Sequence, residues 1–343
     1  MEKKYNVAIL GATGLVGGEL LKTLEKRNFS VNNLKLLASV RSSDKKIKFK
    51  DELIKVEEVT NDSFKNIDIV LASSGQDTAL QFANAAVKSG ACFIDNSNAF
   101  RMDKDVPLVV PEVNGEELKK HKGVIANPNC STSQLVPVLK VLNDIGVLKR
   151  VIVSTYQSVS GAGLEAMEEL SQQTGQWLSK SEITKKIMPK QIAFNLIPHI
   201  DAFLPNGYTK EEMKVVEESR KILNLPDLPI TCTAVRVPVM IGHSESVTVD
   251  LEKNISLDTV KKALSQHELI EVVDDPNKGE YMTPLEAALT DPVYVSRIRK
   301  DTSSPNGYNM WVVSDNLKIG AALNAVKIAE YLIKNDLLAF SKV

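Results

Sequence analysis

The residue of this 343-residue chain that is best placed for chemistry is Cys130. It lies in the segment 127–133, NPNCSTS, directly before a helical pattern that runs from Gln134 to Leu142. A thiol at a helix N-terminus interacts with the positive end of the helix dipole, which favours the nucleophilic thiolate. Cys92 and Cys232 lie in apolar, strand-like segments, and we expect both to be buried and inert. The sequence therefore predicts a cysteine nucleophile at Cys130.

A thiolate nucleophile commonly works with a histidine as acid and base, and the chain has four histidines. His121 lies among lysines and His267 follows a helical pattern, so we expect both to be exposed to solvent. The surroundings of His199 assign it no role. His243 lies in a predicted loop between two strands, and it is the modestly favoured partner of the cysteine. The spacing of histidines, cysteines and carboxylates predicts no metal site.

A glycine-rich loop near the start of the chain predicts a dinucleotide site. The segment 11–17, GATGLVG, follows an apolar strand pattern, Tyr5–Leu10, and opens a helical pattern at Leu15. Glycines permit the tight turn and bring the amides of the helix N-terminus close to a pyrophosphate. A strand–helix turn without a ligand is the alternative interpretation. The position of the loop in the first βα unit favours the cofactor.

The residues after the second predicted strand, Leu34–Val40, indicate which dinucleotide binds. An acidic residue here would bind the ribose 2′-hydroxyl of NAD, but this strand is followed by Arg41 and Ser42. A guanidinium and a hydroxyl suit a 2′-phosphate, so the sequence predicts NADP. The alternative is that Arg41 is an exposed loop charge.

The order of the predicted elements indicates an α/β protein with two domains. Strands and helices alternate up to about residue 130, which is typical of a doubly wound, Rossmann-type parallel sheet. Longer alternating strands after Val147 predict an α+β domain. We predict an NADP-binding domain at residues 1–130, completed by a C-terminal helix within 317–343, and a catalytic and dimerisation domain at 131–316.

Composition narrows the class of protein. Lysine plus arginine (42) balances aspartate plus glutamate (43), so a net charge of -1 predicts neither a nucleic acid nor a membrane as partner. The longest uncharged apolar stretches are only strand-sized, and the N-terminus runs directly into a strand without a signal-peptide pattern. Three widely spaced cysteines favour a reducing compartment. We therefore expect a cytoplasmic enzyme.

Several segments together resemble the aspartate-β-semialdehyde dehydrogenases, most of all the bacterial branch, over essentially the whole chain. They are 11–17 and 127–132, DNSNAFRM at 95–102, VPLVVPEVN at 106–114, QSVSGAG at 157–163, RVP at 236–238 and GHSES at 242–246. The resemblance implies a homodimer that reduces β-aspartyl phosphate to aspartate β-semialdehyde with NADPH, through a thioester on the cysteine. It also implies a place in the biosynthesis of lysine, threonine, methionine and diaminopimelate.

The resemblance implies roles for individual residues. Cys130 would be the nucleophile and His243 the general acid/base, while Gln157 would orient the substrate and Asn129 would position the thiolate and oxyanion. The residues expected to bind substrate are Arg236 at the α-carboxylate, Glu211 at the α-amino group, and Arg101 and Lys214 at the phosphate. The residues expected to contact NADP are Gly11, Thr13, Gly14, Leu15, Val16, Arg41, Ser42, Ser160, Gly161 and Asn316.

Two departures from the family pattern and three alternatives stay open at this point. Residues 41–44 read RSSD where the family usually has RSAG, and residues 73–77 read SSGQD in place of the usual SAGG pattern. An N-acetylglutamyl-phosphate reductase would share the fold and the cysteine, but an acetylated amine could not pair with Glu211. A reductase of a malonyl-type thioester would leave Arg101 and Lys214 without a phosphate. A non-catalytic NADP-binding scaffold is the alternative from another class.

Overall fold

The computed structural model describes residues 3–339. Residues 1–2 and 340–343, the two ends of the predicted NADP-binding domain, lie outside the described residues. The chain divides into two compact units, of which the first runs as far as Asn129 and resumes at Ala321. The second unit is Cys130–Gly320.

The described residues form strands and α-helices that we number in chain order. The strands are β1 (Tyr5–Leu10), β2 (Val31–Ala38), β3 (Lys46–Phe49), β4 (Glu52–Glu58), β5 (Ile69–Ala72), β6 (Cys92–Asp95), β7 (Val124–Ala126), β8 (Leu148–Gln157), β9 (Ile230–Arg236), β10 (His243–Leu251), β11 (Ile270–Val272), β12 (Val293–Lys300) and β13 (Gly307–Ser314). The helices are α1 (Leu15–Lys26), α2 (Gln76–Lys88), α3 (Pro111–Asn114), α4 (Cys130–Gly146), α5 (Leu164–Leu178), α6 (Lys210–Leu223), α7 (Leu257–Ser265), α8 (Pro284–Ala287) and α9 (Leu323–Lys334).

The first unit is built on a sheet in the order β3-β4-β2-β1-β5-β6-β7. Its neighbours pair in parallel except for the antiparallel pair β3 and β4. Alternate residues of a strand point to opposite faces, so Val7 and Ile9 pack in one core, which also takes in α1 and α9. Ala8 and Leu10 pack in the other core, with α2. Both faces are covered, as a parallel sheet requires.

The second unit is built on a mixed sheet in the order β11-β12-β13-β10-β8-β9. The pairs β12–β13, β13–β10 and β10–β8 are antiparallel, while β11–β12 and β8–β9 are parallel. One face of this sheet is covered by α4, which packs against β8, β10 and β13. The predicted combination of a Rossmann-type sheet with an α+β domain is therefore confirmed.

Three local expectations were wrong. The second strand ends at Ala38 rather than Val40, and Arg41 lies in a 3₁₀ turn, Val40–Ser42. His243 does not lie in a loop but is the first residue of β10. His121 is buried rather than exposed, with its Nε2 2.7 Å from the carbonyl oxygen of Leu337. Between residues 3 and 339 no helix has both the length and the apolar character needed to cross a bilayer.

Two glycines make the turn between β1 and α1 possible. Gly11 has φ of 88°, a left-handed conformation that glycine adopts without strain. Gly17 lies so close to this turn that an added Cβ would stand 2.3 Å from the carbonyl oxygen of Gly11. Backbone atoms cannot move aside as a flexible side chain can. The close approach of α1 to the turn therefore depends on the missing side chain at Gly17.

We expect Gly17→Ala to lower the free energy of unfolding by about 1–3 kcal/mol, because the methyl group overpacks a backbone contact. The matched control is Gly18→Ala on the same helix, where an added Cβ meets nothing within 4 Å. That variant should be neutral or more stable by up to about 1 kcal/mol, because alanine is the better helix former. Urea unfolding followed by circular dichroism measures both. Equal stability of the two variants would contradict the packing argument.

Candidate active site

Three strand ends of the second unit bring polar side chains together. Gln157 ends β8 and Arg236 ends β9, and the two residues are direct partners in the parallel pair. His243 is the first residue of β10, which runs antiparallel to β8. The start of β10 therefore lies beside the end of β8. All three side chains are buried. The sheet therefore ends in a polar cluster at the start of α4.

The cysteine is the first residue of α4, and its side chain is partly exposed. Gln157 reaches the same turn, because its Nε2 donates to Ser131 Oγ at 2.7 Å. Gly320 packs directly on the cysteine, since an added Cβ there would lie 2.7 Å from Cys130 Cβ. Gly320 was not among the predicted site residues. Its only signal was a glycine in a run of small residues ahead of the last helix.

Glu211 and Lys214 lie on the first turns of α6 and form an ion pair of 3.2 Å. Gln157 Nε2 donates to Glu211 Oε1 at 3.1 Å, which joins this pair to the cluster. Lys214 also contacts Asp201 Oδ2 at 2.8 Å. Burial lowers the pKa of Lys214, but the negative charges of Glu211 and Asp201 outweigh this effect and the pKa lies above its usual value. Lys214 is therefore a fixed cation.

The Arg236 guanidinium is buried and held by the main chain. Its Nη1 donates to the carbonyl oxygen of Ser158 at 2.7 Å. Burial lowers the pKa of Arg236, and the carboxylate of Glu211 opposes that effect. A guanidinium has five donors and stays charged in proteins, so donors remain for a carboxylate ligand.

His243 is completely buried, with 0% of its surface exposed. The backbone amide of Ser158 donates to His243 Nδ1 at 3.1 Å, and an amide N–H can only donate. Nδ1 is therefore the acceptor nitrogen, and the neutral ring carries its proton on Nε2. Burial, followed by the positive charge of Arg236, lowers the pKa of His243 from 6.5 to about 3.

The Nε2 atom of His243 has no hydrogen-bond partner among the described residues. An added Cβ on Gly161 would lie 3.2 Å from this nitrogen and 3.1 Å from Arg236 Nη1. The glycine therefore leaves the two donors room on one side. This arrangement presents a neutral N–H donor and a guanidinium to a ligand.

Asn316 and Ser160, both predicted to contact the cofactor, meet in one hydrogen-bond network. Asn316 Oδ1 accepts from Ser160 Oγ and from Ser158 Oγ, each at 3.1 Å, and from the Gly242 amide at 2.9 Å. Ser158 Oγ also lies 3.1 Å from His243 Nδ1. The network thus connects Asn316 to the histidine ring through one hydroxyl.

The first unit has a cavity of about 540 Å³ at the carboxyl ends of its parallel strands. Its lining includes Gly11, Thr13, Gly14, Ser39 and Ser74. The volume and position suit part of a dinucleotide, which in such sheets binds outside the carboxyl ends of the strands. The turn packs closely on the segment after β5, because an added Cβ at Gly11 would stand 3.0 Å from atoms of Ser73 and Ser74.

The other first-unit residues predicted to contact the cofactor follow, in sequence, residues that line this cavity. Leu15 and Val16 form the first turn of α1. Arg41 and Ser42 lie in the 3₁₀ turn that follows β2, and Arg41 is exposed.

Arg101 and Asn129 also belong to the first unit and are buried. Arg101 donates from Nε to the carbonyl oxygen of Asn127 at 2.9 Å and from Nη2 to that of Asn96 at 2.8 Å. Its guanidinium is therefore fixed in place by main-chain acceptors. Throughout residues 3–339, no group of three or more histidine, cysteine or carboxylate side chains is placed to hold a metal ion.

Both parts of the chain match known protein families. Residues 6–121 match the semialdehyde dehydrogenase NAD binding domain, and residues 139–319 match the semialdehyde dehydrogenase dimerisation domain. The aspartate-semialdehyde dehydrogenase of Aquifex aeolicus is 50% identical over 338 residues, covering 97% of this chain and 99% of its own length. That of Bacillus subtilis is 48% identical over 346 residues, covering 98% and 100%. The chain belongs to the aspartate-semialdehyde dehydrogenase family.

Solved structures agree with this membership. Aspartate semialdehyde dehydrogenase II of Vibrio cholerae, complexed with ASA, matches with a TM-score of 0.95 at 43% identity, covering 97% of this chain and 99% of its own. The predicted aspartate-semialdehyde dehydrogenase resemblance, the fold class and the oxidoreductase activity are confirmed. A dinucleotide-binding domain is present, and the family of the second domain agrees with the expected homodimer.

The low pKa of His243 makes the stability of the protein depend on pH in a specific direction. The folded ring has a pKa of about 3, whereas an unfolded histidine titrates near ~6.5. Below pH ~6.5 the unfolded chain takes up a proton that the folded chain does not, so acid favours unfolding. The contribution of His243 to the free energy of unfolding should fall by about 1.4 kcal/mol per pH unit as the pH drops below that value.

The matched variant is His243→Asn, whose Oδ1 can accept from the Ser158 amide but cannot titrate. Denaturant unfolding of both proteins from pH 4 to 7 measures the difference. We expect the wild type to lose stability relative to the variant as the pH falls. A difference that does not change with pH would mean that His243 is not held neutral.

Proposed function

We propose that Cys130, Gln157, Arg236 and His243 form the site at which this chain interconverts β-aspartyl phosphate and aspartate β-semialdehyde. The observation that carries the proposal is the meeting of a helix-start cysteine with three buried polar residues at adjoining strand ends. In the reductive direction, an acyl phosphate becomes a thioester and then an aldehyde. NADPH, when bound, supplies the hydride for the second of these changes.

The substrate carries an ammonium group and a carboxylate on its α-carbon, two bonds from the reacting acyl carbon, and two residues of the site match them. Arg236 offers a guanidinium whose remaining donors can grip the α-carboxylate in a bidentate way. Glu211 offers a carboxylate for the α-ammonium group, already oriented by Gln157 and Lys214. A charged hydrogen bond contributes about 1.5–3 kcal/mol, so the two contacts together discriminate strongly for an amino acid.

Phosphate binding is assigned to Lys214 and Arg101. Lys214 is a fixed cation beside Glu211, so one side chain carries the amine and its neighbour on α6 carries the phosphate. Arg101 is held by the carbonyl oxygens of Asn96 and Asn127, and its planar guanidinium suits a phosphate group. Asn129, next in sequence to the nucleophile, is assigned to positioning the thiolate and the oxyanion.

The steps follow from the placement of the cysteine and histidine. The thiolate of Cys130, favoured by the N-terminus of α4, forms a bond to the acyl carbon as the bond to phosphate breaks. Negative charge develops on the acyl oxygen, and His243 Nε2–H is assigned as the hydrogen-bond donor that stabilises it. The same donor serves the thiohemiacetal oxygen until the carbon–sulfur bond breaks, the aldehyde leaves and the thiolate returns. Gln157 holds Ser131 in the first turn of α4 and thereby orients the cysteine.

The cofactor assigned to the chain is NADP. The glycine turn at Gly11–Gly17 and the cavity beside it fit a pyrophosphate and its adenosine. Arg41 and Ser42, next to that cavity in the chain, are assigned to the 2′-phosphate. Ser160, Gly161 and Asn316 are assigned to the nicotinamide side, with Asn316 fixed by its network. The free thiols fit a reducing, cytoplasmic setting.

A first experiment measures the reverse reaction with aspartate semialdehyde, phosphate and NADP, by the absorbance of NADPH. We expect phosphate-dependent turnover in the wild type and a rate at least ~10⁴-fold lower in Cys130→Ala, because the covalent route is lost. Glu211→Gln should raise KM for the aldehyde by about tenfold or more, because a charged partner of the ammonium group disappears.

The same assay with N-acetylglutamate semialdehyde is the control for substrate class. Turnover with that aldehyde alone would keep the fold and nucleophile but refute the assignment of Glu211. Silence with both aldehydes would favour a non-catalytic NADP-binding protein. Full activity of Cys130→Ala would refute the thioester.

Arg41→Ala tests the choice of dinucleotide. Loss of the charged contact to a 2′-phosphate should raise KM for NADPH by about 10- to 100-fold while KM for NADH stays unchanged. Lys48→Ala, which removes an exposed cation from β3, is the matched control and should change neither constant. Equal effects of Arg41→Ala on the two cofactors would contradict the assignment.

A further inference from the structure

A buried carboxyl group lies behind the catalytic residues of the second unit. Glu245 is two residues after His243 on β10, so both side chains point to the same face of the sheet. It is completely buried, with 0% of its surface exposed. Neither carboxyl oxygen has a well-formed hydrogen bond among residues 3–339, although the Gln134 side chain lies near enough to act on the carboxyl group. None of the catalytic or binding roles proposed for the site involves Glu245.

Cys130, Gln157 and His243 form what we call the catalytic layer. Glu245 and its neighbours form a second layer behind it, one step further into the unit. On β8 Glu245 lies opposite Thr155, two residues before Gln157. On α4 the adjoining side chain is Gln134, four residues and about one turn after Cys130. Each of these elements therefore contributes one residue to the catalytic layer and one to the layer behind it.

Two groups in this inner layer match what a neutral carboxylic acid offers. Gln134 Nε2 is a donor and Thr155 Oγ1 can accept, and neither has a well-formed hydrogen bond among the described residues. Gln134 Oε1 is already used, because it accepts from Ser314 Oγ at 2.6 Å. A protonated carboxyl group has one C=O acceptor and one O–H donor, which suits this pair of neighbours. The threonine hydroxyl can also donate, so this pair of neighbours accommodates either form, and burial and the surrounding charges decide between them.

The charges around Glu245 also favour the neutral form. Burial raises the pKa of Glu245 well above its usual value, and the Gln134 side chain opposes this only in part. On the same strand His243 is neutral, and on β9 burial raises the pKa of the Cys232 thiol well above its usual value. The cation on β9, Arg236, is directed to the carbonyl oxygen of Ser158.

Further elements around this layer carry other titratable groups. On α6 the carboxylate of Glu212 accepts from the Ala234 amide, and Glu211 pairs with Lys214. On α4 the titratable group nearest in sequence to Gln134 is Cys130, and at the pairing position on β13 the partner is the apolar Val312. The surroundings thus offer Glu245 no dedicated positive partner within the described chain.

We propose that Glu245 is a positioning residue held as the neutral acid, whose carboxyl group ties Gln134 of α4 to Thr155 of β8 and so fixes Cys130 relative to His243. The proposal rests on the proposed function, because it concerns the same nucleophile and the same donor. Through these contacts the first turns of α4 keep one position on the sheet. A slip of about 1 Å between nucleophile and donor is enough to slow a reaction about 100-fold.

Three variants test this role. Glu245→Gln keeps the shape, a donor and an acceptor, and should retain kcat within about threefold. Glu245→Leu keeps the volume but no hydrogen bond, and should lower kcat by about 10- to 100-fold with KM for the aldehyde changed less than about twofold. Ser244→Ala is the matched control on the opposite face of the same strand, and it should change neither constant by more than about twofold.

Two readouts do not depend on turnover, so they separate this proposal from the proposed function. The first readout is the pH profile of the rate at which iodoacetamide alkylates Cys130. This profile should differ from that of the wild type in Glu245→Leu and match it in Glu245→Gln. Infrared spectroscopy should show the carbonyl stretch of a protonated carboxylic acid at neutral pH, lost in Glu245→Gln. If the wild type fails to turn over but both readouts hold, the function is wrong and the role of Glu245 stands.

The pH dependence of stability gives an independent check of the neutral form. An unfolded glutamate loses its proton near pH ~4.3, whereas folded Glu245 keeps it, so rising pH favours unfolding of the wild type. The unfolding constant of the wild type relative to Glu245→Gln should rise about tenfold per pH unit above that value.

Three results would overturn the proposal. The first is an acid carbonyl band that disappears well below pH 7, because the group would then be ionised. The second is wild-type kcat in a folded Glu245→Leu variant. The third is a loss of kcat in Glu245→Gln as large as in Glu245→Leu, which would show that the carboxyl charge itself is needed.

Discussion

The second unit depends on the way in which one residue, Ser158, binds two reactive side chains at once. Its amide donates to the imidazole of His243, its carbonyl oxygen accepts from Arg236, and its hydroxyl links the ring to Asn316. Main-chain groups have no side-chain freedom, so both partners are held at fixed positions without further ordering. The same bond selects the tautomer of the ring. A buried neutral donor and a buried cation therefore coexist because one peptide segment satisfies both.

Much of the fold could be predicted from the sequence, because the central parallel strands of the first unit, β1, β5 and β6, are short apolar runs. Tyr5–Leu10 and Leu15–Lys26 have the bounds that the pattern indicates. The second strand could not be bounded in this way, since Val40 continues the apolar pattern although the chain turns at Ser39. Which strands pair in the mixed sheet depends on contacts distant in sequence, and periodicity does not report them.

The site was less accessible to prediction. Cys130 stood out because polar residues surround it at an element boundary, but His243 looked like a loop residue because Gly242 and Ser244 flank it. Its burial comes from strand pairing that the local sequence does not encode. Gly320 acts through its missing side chain and Ser158 largely through its backbone, and the residue type indicates such contacts only weakly. Glu245 is an acidic residue whose surroundings, rather than its type, decide its charge.

The contrast among the three thiols has a consequence for the response of the protein to oxidants. Burial raises the pKa of Cys92 to about 12 and keeps Cys232 protonated, whereas Cys130 is partly exposed at a helix start. Peroxides react with thiolates, so oxidation reaches the nucleophile first and leaves the cores of both units intact. Activity would be lost as a sulfenic acid forms and restored by a thiol reductant until the sulfur is oxidised further. Loss of activity on oxidation would then precede loss of the fold.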